Sequence, residues 1–184
     1  LLGLDWHNGN RTVLVDQRLT GMMLGLTLHT TPAEIYRALI ESTAFGARVI
    51  KERYEEYDVT VDRVVNCGGI PFQNPLLMQI YADVMGEPMY ISKSKQTPAL
   101  GSAIAGTVVA GEEGGGHPDF GQAVDAMTDT KDEVYEPDPR HQEIYDRLFP
   151  LYRRVHDAFG VTGTEDDLSD VMKTLLNIRE EVKR

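Results

Sequence analysis

The stretch VVNCGGIPFQNPLLMQIYADVMGEPMYIS, Val64–Ser92, predicts a strand, a double-glycine turn, a helix and a second strand in succession. Val64 and Val65 are β-branched and apolar, which is typical of a short buried strand. The apolar run breaks at Gly68-Gly69, where the main chain can approach a ligand closely because no Cβ intervenes. This stretch therefore predicts both a local α/β arrangement and a candidate binding turn.

The helix inside this stretch has clear start and stop signals. Asn74 is a favourable N-cap residue, and Pro75 suits the first helical position. One apolar face recurs at helical spacing: Leu77, Ile80, Tyr81 and Val84. Gly86 is typical of the residue that follows a helix. A glycine turn that leads into a helix N-terminus can hold phosphate, although two glycines before a helix also make an ordinary tight turn.

Further helices are predicted by signals of the same kind. The sequence TPAE at residues 31–34 is a capping box with proline at the first helical position. The helix that it opens is expected to bury one continuous face: Tyr36, Ile40, Thr43, Ala47, Ile50 and Tyr54. Asp138-Pro139 is expected to start a long helix, and Thr164 is expected to cap the last one.

Small residues dominate the predicted helix TPALGSAIAGTVVAG at residues 97–111. Glycine in a helix costs backbone entropy, so close approach of another element is the expected compensation. Strands alternate with helices along the whole chain. This alternation predicts an α/β fold with a mostly parallel portion of sheet.

Composition and charge exclude several classes of function. The 184 residues suffice for one domain with a core, and 18 basic against 29 acidic residues give a net charge of −11. That balance argues against a broad nucleic-acid or anionic-membrane surface, although it permits binding of one nucleotide through main-chain amides. No apolar run approaches the length of about 20 residues needed to span a bilayer. With no visible signal peptide, a cytoplasmic location is expected.

Cysteine and histidine usage gives no sign of a metal centre or a catalytic thiol. Cys67 is the only cysteine, so no intrachain disulfide is expected. A cysteine that ends an apolar strand, with no cationic neighbour in sequence, is expected to be a small buried apolar residue. The five histidines show no metal-binding spacing.

Three segments resemble those of the FGGY carbohydrate kinases. The sequence GMMLGLTLHTTPAEIYRALIE is similar to a family signature in which two glycines, here Gly21 and Gly25, precede a helix with an acidic residue, here Glu41. Cys67–Pro88 resembles the adenosine-binding segment of the family, and Thr97–Gly106 resembles the small-residue helix that follows it. The resemblance covers residues 4–160.

Within that family, three further segments are most similar to the L-ribulokinases. They are LDWHNGNRT at 4–12, QRLTG at 17–21 and ESTAFGARVI at 41–50. The resemblance implies transfer of the ATP γ-phosphoryl group to L-ribulose. The alternatives are a kinase of another pentulose or polyol in the family, and a non-catalytic actin-like module that uses nucleotide for assembly.

The resemblance also implies a fold and a division of labour. Family members have two actin-like, ribonuclease-H-like domains that close on each other, of which the first supplies most of the sugar site and the second most of the nucleotide site. Residues 1–160 would form the C-terminal, nucleotide-binding domain, an α/β domain with a mixed sheet flanked by helices. Residues 161–184 would form a helix that packs on this domain or extends it.

Five residues are candidates for nucleotide binding by this resemblance. Gly68 and Gly69 would lie against the phosphates and ribose, and a side chain at Gly69 would clash with the nucleotide. Gln73 stands where related members place an adenine-contacting asparagine, so contact with the base is left open. Asn74 is expected to cap its helix rather than to bind. Gly9 falls in a loop that lines the phosphate side of the cleft in related kinases.

The catalytic aspartate and the phosphate-binding threonine–glycine turn of the family would both precede Leu1. No catalytic residue is therefore expected within this chain, which by itself is expected to be inactive and to be part of a longer protein. Asp5 could reach the sugar side or serve as a loop residue. ATP with Mg²⁺, the ketopentose and the N-terminal domain of the same enzyme are the expected partners. Neither nucleic acid nor membrane is expected, and homodimer formation is left open.

Overall fold

The computed structural model describes residues 1–165, 168 and 171–182, and only the backbone of residues 172 and 173. The contacts within it divide the chain into two compact units. The terminal unit comprises Leu1–Asp62, Ile80–Glu87 and Pro137–Arg184, and the central unit comprises Arg63–Gln79 and Pro88–Glu136. The division of the chain at residue 160 stays a prediction.

Strands and helices are interspersed along the described residues, but the predicted alternation is incomplete, because two strands and two pairs of helices follow each other directly. The elements are β1 Leu2–Leu4, β2 Met22–Leu24, α1 Pro32–Glu56, β3 Val64–Asn66, α2 Pro75–Met85, β4 Met89–Ser92, α3 Thr97–Ala110, α4 Phe120–Met127, β5 Thr130–Tyr135, α5 Pro139–Gly160 and α6 Val171–Val182. Short 3-10 turns at Ile70–Phe72 and Glu112–Gly114 complete them.

The capping box at the start of α1 is confirmed. The Thr31 hydroxyl accepts a hydrogen bond from the Glu34 amide at 3.3 Å, and the Glu34 carboxylate accepts one from the Thr31 amide at 2.7 Å. Two of the amides that a helix N-terminus leaves without intrahelical partners are thereby satisfied. This local exchange fixes where the helix begins.

The predicted buried face of α1 is wrong in its phase. Tyr36 and Tyr54 are 54% and 52% exposed. The residues that the helix buries are Ala38, Ile40, Ser42, Ala44, Phe45 and Val49. Periodicity identified a helix with one apolar side, but α1 packs through the side that carries Phe45, and both tyrosines lie outside it.

Aromatic rings form the centre of the core of the terminal unit. The Phe45 ring centroid lies 5.2 Å from that of Tyr152 and 6.0 Å from that of Phe149, and both partners belong to α5. The Arg48 guanidinium lies over the Phe149 ring, with Cζ 4.2 Å from the centroid. Because Phe45 and Tyr152 are fully buried, these tilted ring pairs join α1 to α5 through large apolar surfaces.

The strands β1 and β2 of this unit pair antiparallel, with Leu2 opposite Leu24.

The central unit is built on a three-stranded sheet in the order β3-β4-β5. β3 and β4 are parallel, with Val64 opposite Met89, whereas β4 and β5 are antiparallel, with Met89 opposite Tyr135. The sheet is therefore mixed, with one parallel and one antiparallel pair. Met89 and Ile91 of the middle strand are fully buried, whereas Val65 of β3 is 45% exposed. The predicted strand at Val64 is present, but it is not a buried one.

The small residues of α3 do not produce the expected close approach within the described residues. A Cβ added at Gly101 or at Gly106 would meet no atom within 4 Å. Ile104 is the residue that α3 buries.

The short helix α4 begins at an N-cap, since the Asp119 carboxylate accepts a hydrogen bond from the Gln122 amide at 2.9 Å.

The last helix does not begin at Thr164 as predicted. α6 spans Val171–Val182, and the Thr164 hydroxyl lies 3.4 Å from the Asp157 carbonyl and 3.3 Å from the Val161 carbonyl, where it donates. The Thr164 side chain thus contacts the C-terminal end of α5 and, among the described residues, does not cap a following helix. In the part of the chain that the structure describes, no helix has the length and apolar character needed to cross a membrane.

The α1 capping box predicts a measurable loss of stability on mutation. We expect Thr31→Ala to lower the free energy of unfolding by about 1 kcal/mol, because the Glu34 amide loses its acceptor. Urea unfolding followed by circular dichroism measures this difference. Thr60→Ala, at an exposed loop threonine, is the matched control and should unfold like the wild type. Equal midpoints for both variants would contradict the capping role.

Candidate functional site

The double-glycine turn of the central unit is open on its outer side. Gly68 has φ of +88°, a left-handed conformation that favours glycine, whereas Gly69 has φ of −80° and ψ of −33°, which any residue adopts. A Cβ added at either glycine would meet no atom within 4 Å. The turn itself therefore requires glycine at position 68, and neither the backbone nor the packing requires it at position 69.

The turn leads directly into α2, as predicted. The Ile70 carbonyl accepts hydrogen bonds from the amides of Gln73 at 2.9 Å and Asn74 at 3.0 Å, which closes the 3-10 turn. The Asn74 side chain accepts one from the Leu77 amide at 3.0 Å, so its predicted capping role is confirmed. The Gln73 side chain is exposed. The structure thus brings Gly68, Gly69, Gln73 and Asn74 together in one short segment, and their binding roles stay predictions.

The central unit contains a groove of about 510 Å³, and one of its lining residues directly precedes the glycine turn in sequence. Cys67 from the end of β3, Ser92 from the end of β4 and Thr97 from the start of α3 are among its lining residues. Cys67 is exposed, so the expectation of a buried thiol is wrong. The residue follows the last position of β3, at a sheet edge where the side chain faces the groove instead of the core.

All four basic residues of the central unit lie against rings or an acid of that unit. Arg63 Cζ lies 3.9 Å from the centroid of the Tyr90 ring, and Lys93 forms an ion pair with Asp129. The two others share one ring: Lys95 Nζ and Lys131 Nζ lie 5.3 Å and 4.2 Å from the centroid of Phe72, which belongs to the 3-10 turn after the glycines. This arrangement was not predicted from the sequence.

Gly9 belongs to the terminal unit, where its own loop accounts for it. Its φ is +74°, and an added Cβ would lie 2.5 Å from Gln17 Cα and 2.9 Å from the Asp16 carbonyl oxygen. Asn10 and Asp16 exchange two main-chain hydrogen bonds of 2.9 Å, which close the loop around it. Glycine is therefore required at this position whether or not a ligand is present.

A pocket of about 270 Å³ in the terminal unit gathers residues from distant parts of the chain. Asp5, Trp6 and Gly9 of the first loop line it together with Tyr152 and His156 of α5. A Cβ at Gly46 of α1 would lie 3.0 Å from the Asp5 carboxylate, so glycine leaves room for that group. No local motif links the first loop to α5, so this pocket could not be predicted from sequence patterns.

Several buried polar atoms around this pocket lack hydrogen-bond partners among the described residues: Trp6 Nε1, the Tyr152 hydroxyl and His156 Nε2. His156 Nδ1 lies 2.8 Å from the Asp157 carboxylate, which favours the tautomer with the proton on Nδ1 and leaves Nε2 as an acceptor. Burial lowers the pKa of His156 and raises the pKa of Asp5. In both cases burial disfavours the charged form of the side chain, which is imidazolium for His156 and carboxylate for Asp5.

Two acidic residues that sequence patterns or burial single out are used inside the terminal unit. Glu41, the acidic residue of the signature-like helix, accepts hydrogen bonds of 2.8 Å from both Arg37 and the Tyr145 hydroxyl. Asp83, which is 1% exposed, accepts one from the Asp138 amide at 2.8 Å and lies 3.1 Å from His141 Nδ1. These carboxylates hold helices together. No group of three or more metal-ligating side chains occurs among the described residues.

Comparisons with known proteins connect these observations to a family. Residues 1–110 match the model described as FGGY family of carbohydrate kinases, C-terminal domain. A Ribulokinase of Halalkalibacterium halodurans is 49% identical over 175 residues, which are 95% of this chain and 30% of that protein. A Ribulokinase of Geobacillus thermodenitrificans is 48% identical over 180 residues, 98% of this chain and 31% of that protein.

A solved structure shows the same fold. The crystal structure of xylulose kinase from Rhodospirillum rubrum matches with a TM-score of 0.70 at 25% identity, over 86% of this chain and 30% of that one. The chain thus spans about 30% of the length of the relatives that it matches.

The buried imidazole of His156 predicts how stability depends on pH. Because its pKa is lowered in the folded state, the unfolded chain binds more protons just below the ordinary histidine value of about 6.5, so stability is full above that pH and falls as pH falls. One whole proton corresponds to about 1.4 kcal/mol per pH unit. We expect the melting temperature to fall between pH 7.5 and 5.5, and to fall less in His156→Gln.

His29→Gln, at an exposed histidine of the same unit, is the matched control for this measurement and should retain the wild-type slope. The raised pKa of Asp5 acts with the opposite sign, because protonation of that carboxyl favours the folded state. The contribution of Asp5 to the pH dependence is therefore largest at the acid end of the range. Parallel melting curves for the wild type and His156→Gln would show that this imidazole does not control the pH dependence.

Proposed function

The chain belongs to the FGGY family of carbohydrate kinases, and we propose that it is the C-terminal, nucleotide-binding portion of an ATP-dependent kinase of L-ribulose. The two relatives named Ribulokinase support this proposal, because their similarity extends over nearly the whole chain. In the proposed reaction the γ-phosphoryl group of ATP passes to a terminal hydroxyl of the ketopentose, giving L-ribulose 5-phosphate. The predicted fold class, an actin-like α/β domain with a mixed sheet, is confirmed by the sheet topology and by the similarity to a solved sugar kinase.

The main structural support for a nucleotide site at this turn is the open space beside Gly69. Neither its backbone angles nor its neighbours require glycine, and the open space beside it, in the segment that resembles the family's adenosine-binding segment, leaves room for a ligand. We propose that the nucleotide lies against Gly68 and Gly69, with main-chain amides of the turn and of the α2 N-terminus directed at phosphate oxygens. In this proposal the exposed side chain of Gln73 would contact the base, and this contact is the part of the site that the family resemblance leaves open.

The chemistry of phosphoryl transfer is mostly positioning and charge stabilisation. When bound, Mg²⁺ would supply positive charge that offsets the charge of the ATP phosphates, and in this proposal it arrives with the nucleotide. The carboxylates of Glu41 and Asp83 already accept hydrogen bonds inside the terminal unit. We therefore assign the general base and most of the sugar site to the remainder of a longer enzyme, and nucleotide binding to this chain.

Calorimetric titration with Mg·ATP tests the nucleotide site. We expect saturable binding by the wild type and at least about tenfold weaker binding by Gly69→Val, because the isopropyl group would occupy space that the nucleotide needs. Gly68 is unsuitable for this test, since its φ of +88° would strain any other residue. Circular dichroism verifies that the variant stays folded.

Gly106→Ala is the matched control for that titration. Position 106 lies in α3, has no atom within 4 Å of an added Cβ, and gains helix propensity from alanine. It should bind ATP like the wild type. Equal binding by Gly69→Val and the wild type would place the nucleotide elsewhere, and no saturable binding by the wild type would remove nucleotide binding from this chain.

A further inference from the structure

Two lysines of the central unit are held on one aromatic ring beside the glycine turn. Phe72 closes the 3-10 turn that begins directly after Gly69. Lys95 Nζ lies 5.3 Å from its ring centroid and Lys131 Nζ lies 4.2 Å from it. Both distances are within the range of about 6 Å in which a ring face attracts an ammonium group. The ring thus fixes two positive charges close to the segment that contains the glycines.

Neither ammonium group has an acid partner in the part of the chain that the structure describes. Among the described residues, no carboxylate lies within 4.0 Å of Lys95 or Lys131. The other two lysines whose side chains are described are both paired, Lys51 with Glu55 and Glu87, and Lys93 with Asp129. In a chain of net charge −11, acids are abundant, so two unpaired lysines on one ring are a specific feature. A ring face attracts the charge without accepting all three N–H donors, which stay available to oxygen ligands.

The sheet topology explains why these residues meet. Because β3 and β4 are parallel, Phe72 after β3 and Lys95 after β4 leave the sheet at the same edge. β5 runs the other way, and Ser92 at the end of β4 pairs with Thr130 at the start of β5. Lys131 therefore lies at that edge too. The carboxyl edge of parallel strands is where ligands bind in open α/β sheets.

We propose that Lys95 and Lys131, held on Phe72, form a cationic site that binds phosphate oxygens of the nucleotide at the Gly68-Gly69 turn. The inference rests on the proposed function and adds side-chain charge to a site otherwise built from main-chain amides. The two lysines come from separate segments of the chain, and both ammonium groups lie near one ring. Their contribution depends on charge, and it is screened by salt.

The experiment separates charge from packing with two kinds of substitution. Lys131→Met keeps an unbranched side chain on Phe72 and removes the ammonium group, whereas Lys131→Arg keeps the charge. We expect the methionine variant to bind ATP about tenfold more weakly, and the arginine variant to recover most of the affinity, as suits loss and return of charge-assisted hydrogen bonds. Lys95→Met should act in the same direction. Lys93→Met, which removes the same charge from a lysine paired with Asp129, is the matched control.

Two further probes identify which part of the nucleotide the lysines contact. Calorimetry with adenosine, which carries no phosphate, should give the same affinity for the wild type and Lys131→Met. Inorganic tripolyphosphate should bind the wild type and lose affinity in both methionine variants. The loss should shrink as salt rises from about 50 to about 300 mM, which shortens the screening length about 2.4-fold.

Each outcome bears on one claim. Unchanged ATP binding in Lys95→Met and Lys131→Met, with ATP still bound by the wild type, overturns the lysine site and leaves the proposed function standing. An equal loss in Lys93→Met overturns it as well, because net charge alone would then explain the effect. If the wild type binds no ATP, the proposed function fails for this chain, and the lysine site fails with it.

Discussion

The parallel pairing of β3 with β4 is the constraint on which the candidate site depends. With Val64 opposite Met89 and Asn66 opposite Ile91, both strands end at one edge, and the chain must cross over between them through α2. The glycine turn occupies the start of that crossover, and Gly86, with φ of +67°, ends the helix before β4. An antiparallel pairing would send the turn and the segment after β4 to opposite ends of the sheet. The shared edge therefore follows from strand direction and not from any single side chain.

Helix starts could be predicted from the sequence because their causes are local. The cap at Thr31 and the cap at Asn74 each join a side chain to a main-chain amide three residues on, so the signal lies within four positions. Asp138 works through the amide of Arg140 in the same way. Thr164 shows the limit of this reasoning, because its hydroxyl turns back to the end of α5. A capping residue indicates a helix only where the residues after it continue one.

The rest depends on contacts between residues far apart in sequence, which local patterns do not encode. Periodicity recognised α1 as a helix, but the phase of its buried face is set by α5, through the Phe45–Tyr152 pair. Cys67 looked buried because its strand is apolar, and is exposed because it stands past the end of that strand. The grouping of Asp5 with His156, and that of Lys95 with Lys131, likewise require the tertiary fold.

The distribution of charge accounts for the part of the reaction that we assign to this chain. The carboxylates of Glu41 and Asp83 accept hydrogen bonds that join helices of the terminal unit, so neither is poised to take a proton from a substrate. The central unit, by contrast, holds an open glycine turn and two ammonium groups without acid partners among the described residues. The central unit as a whole carries more acids than bases, so the two ammonium groups on Phe72 are a local concentration of positive charge that is suited to holding a polyphosphate in position. Phosphoryl transfer needs a positioned phosphate group and a base for the incoming hydroxyl, and we assign the first to this chain and the second to the remainder of a longer enzyme.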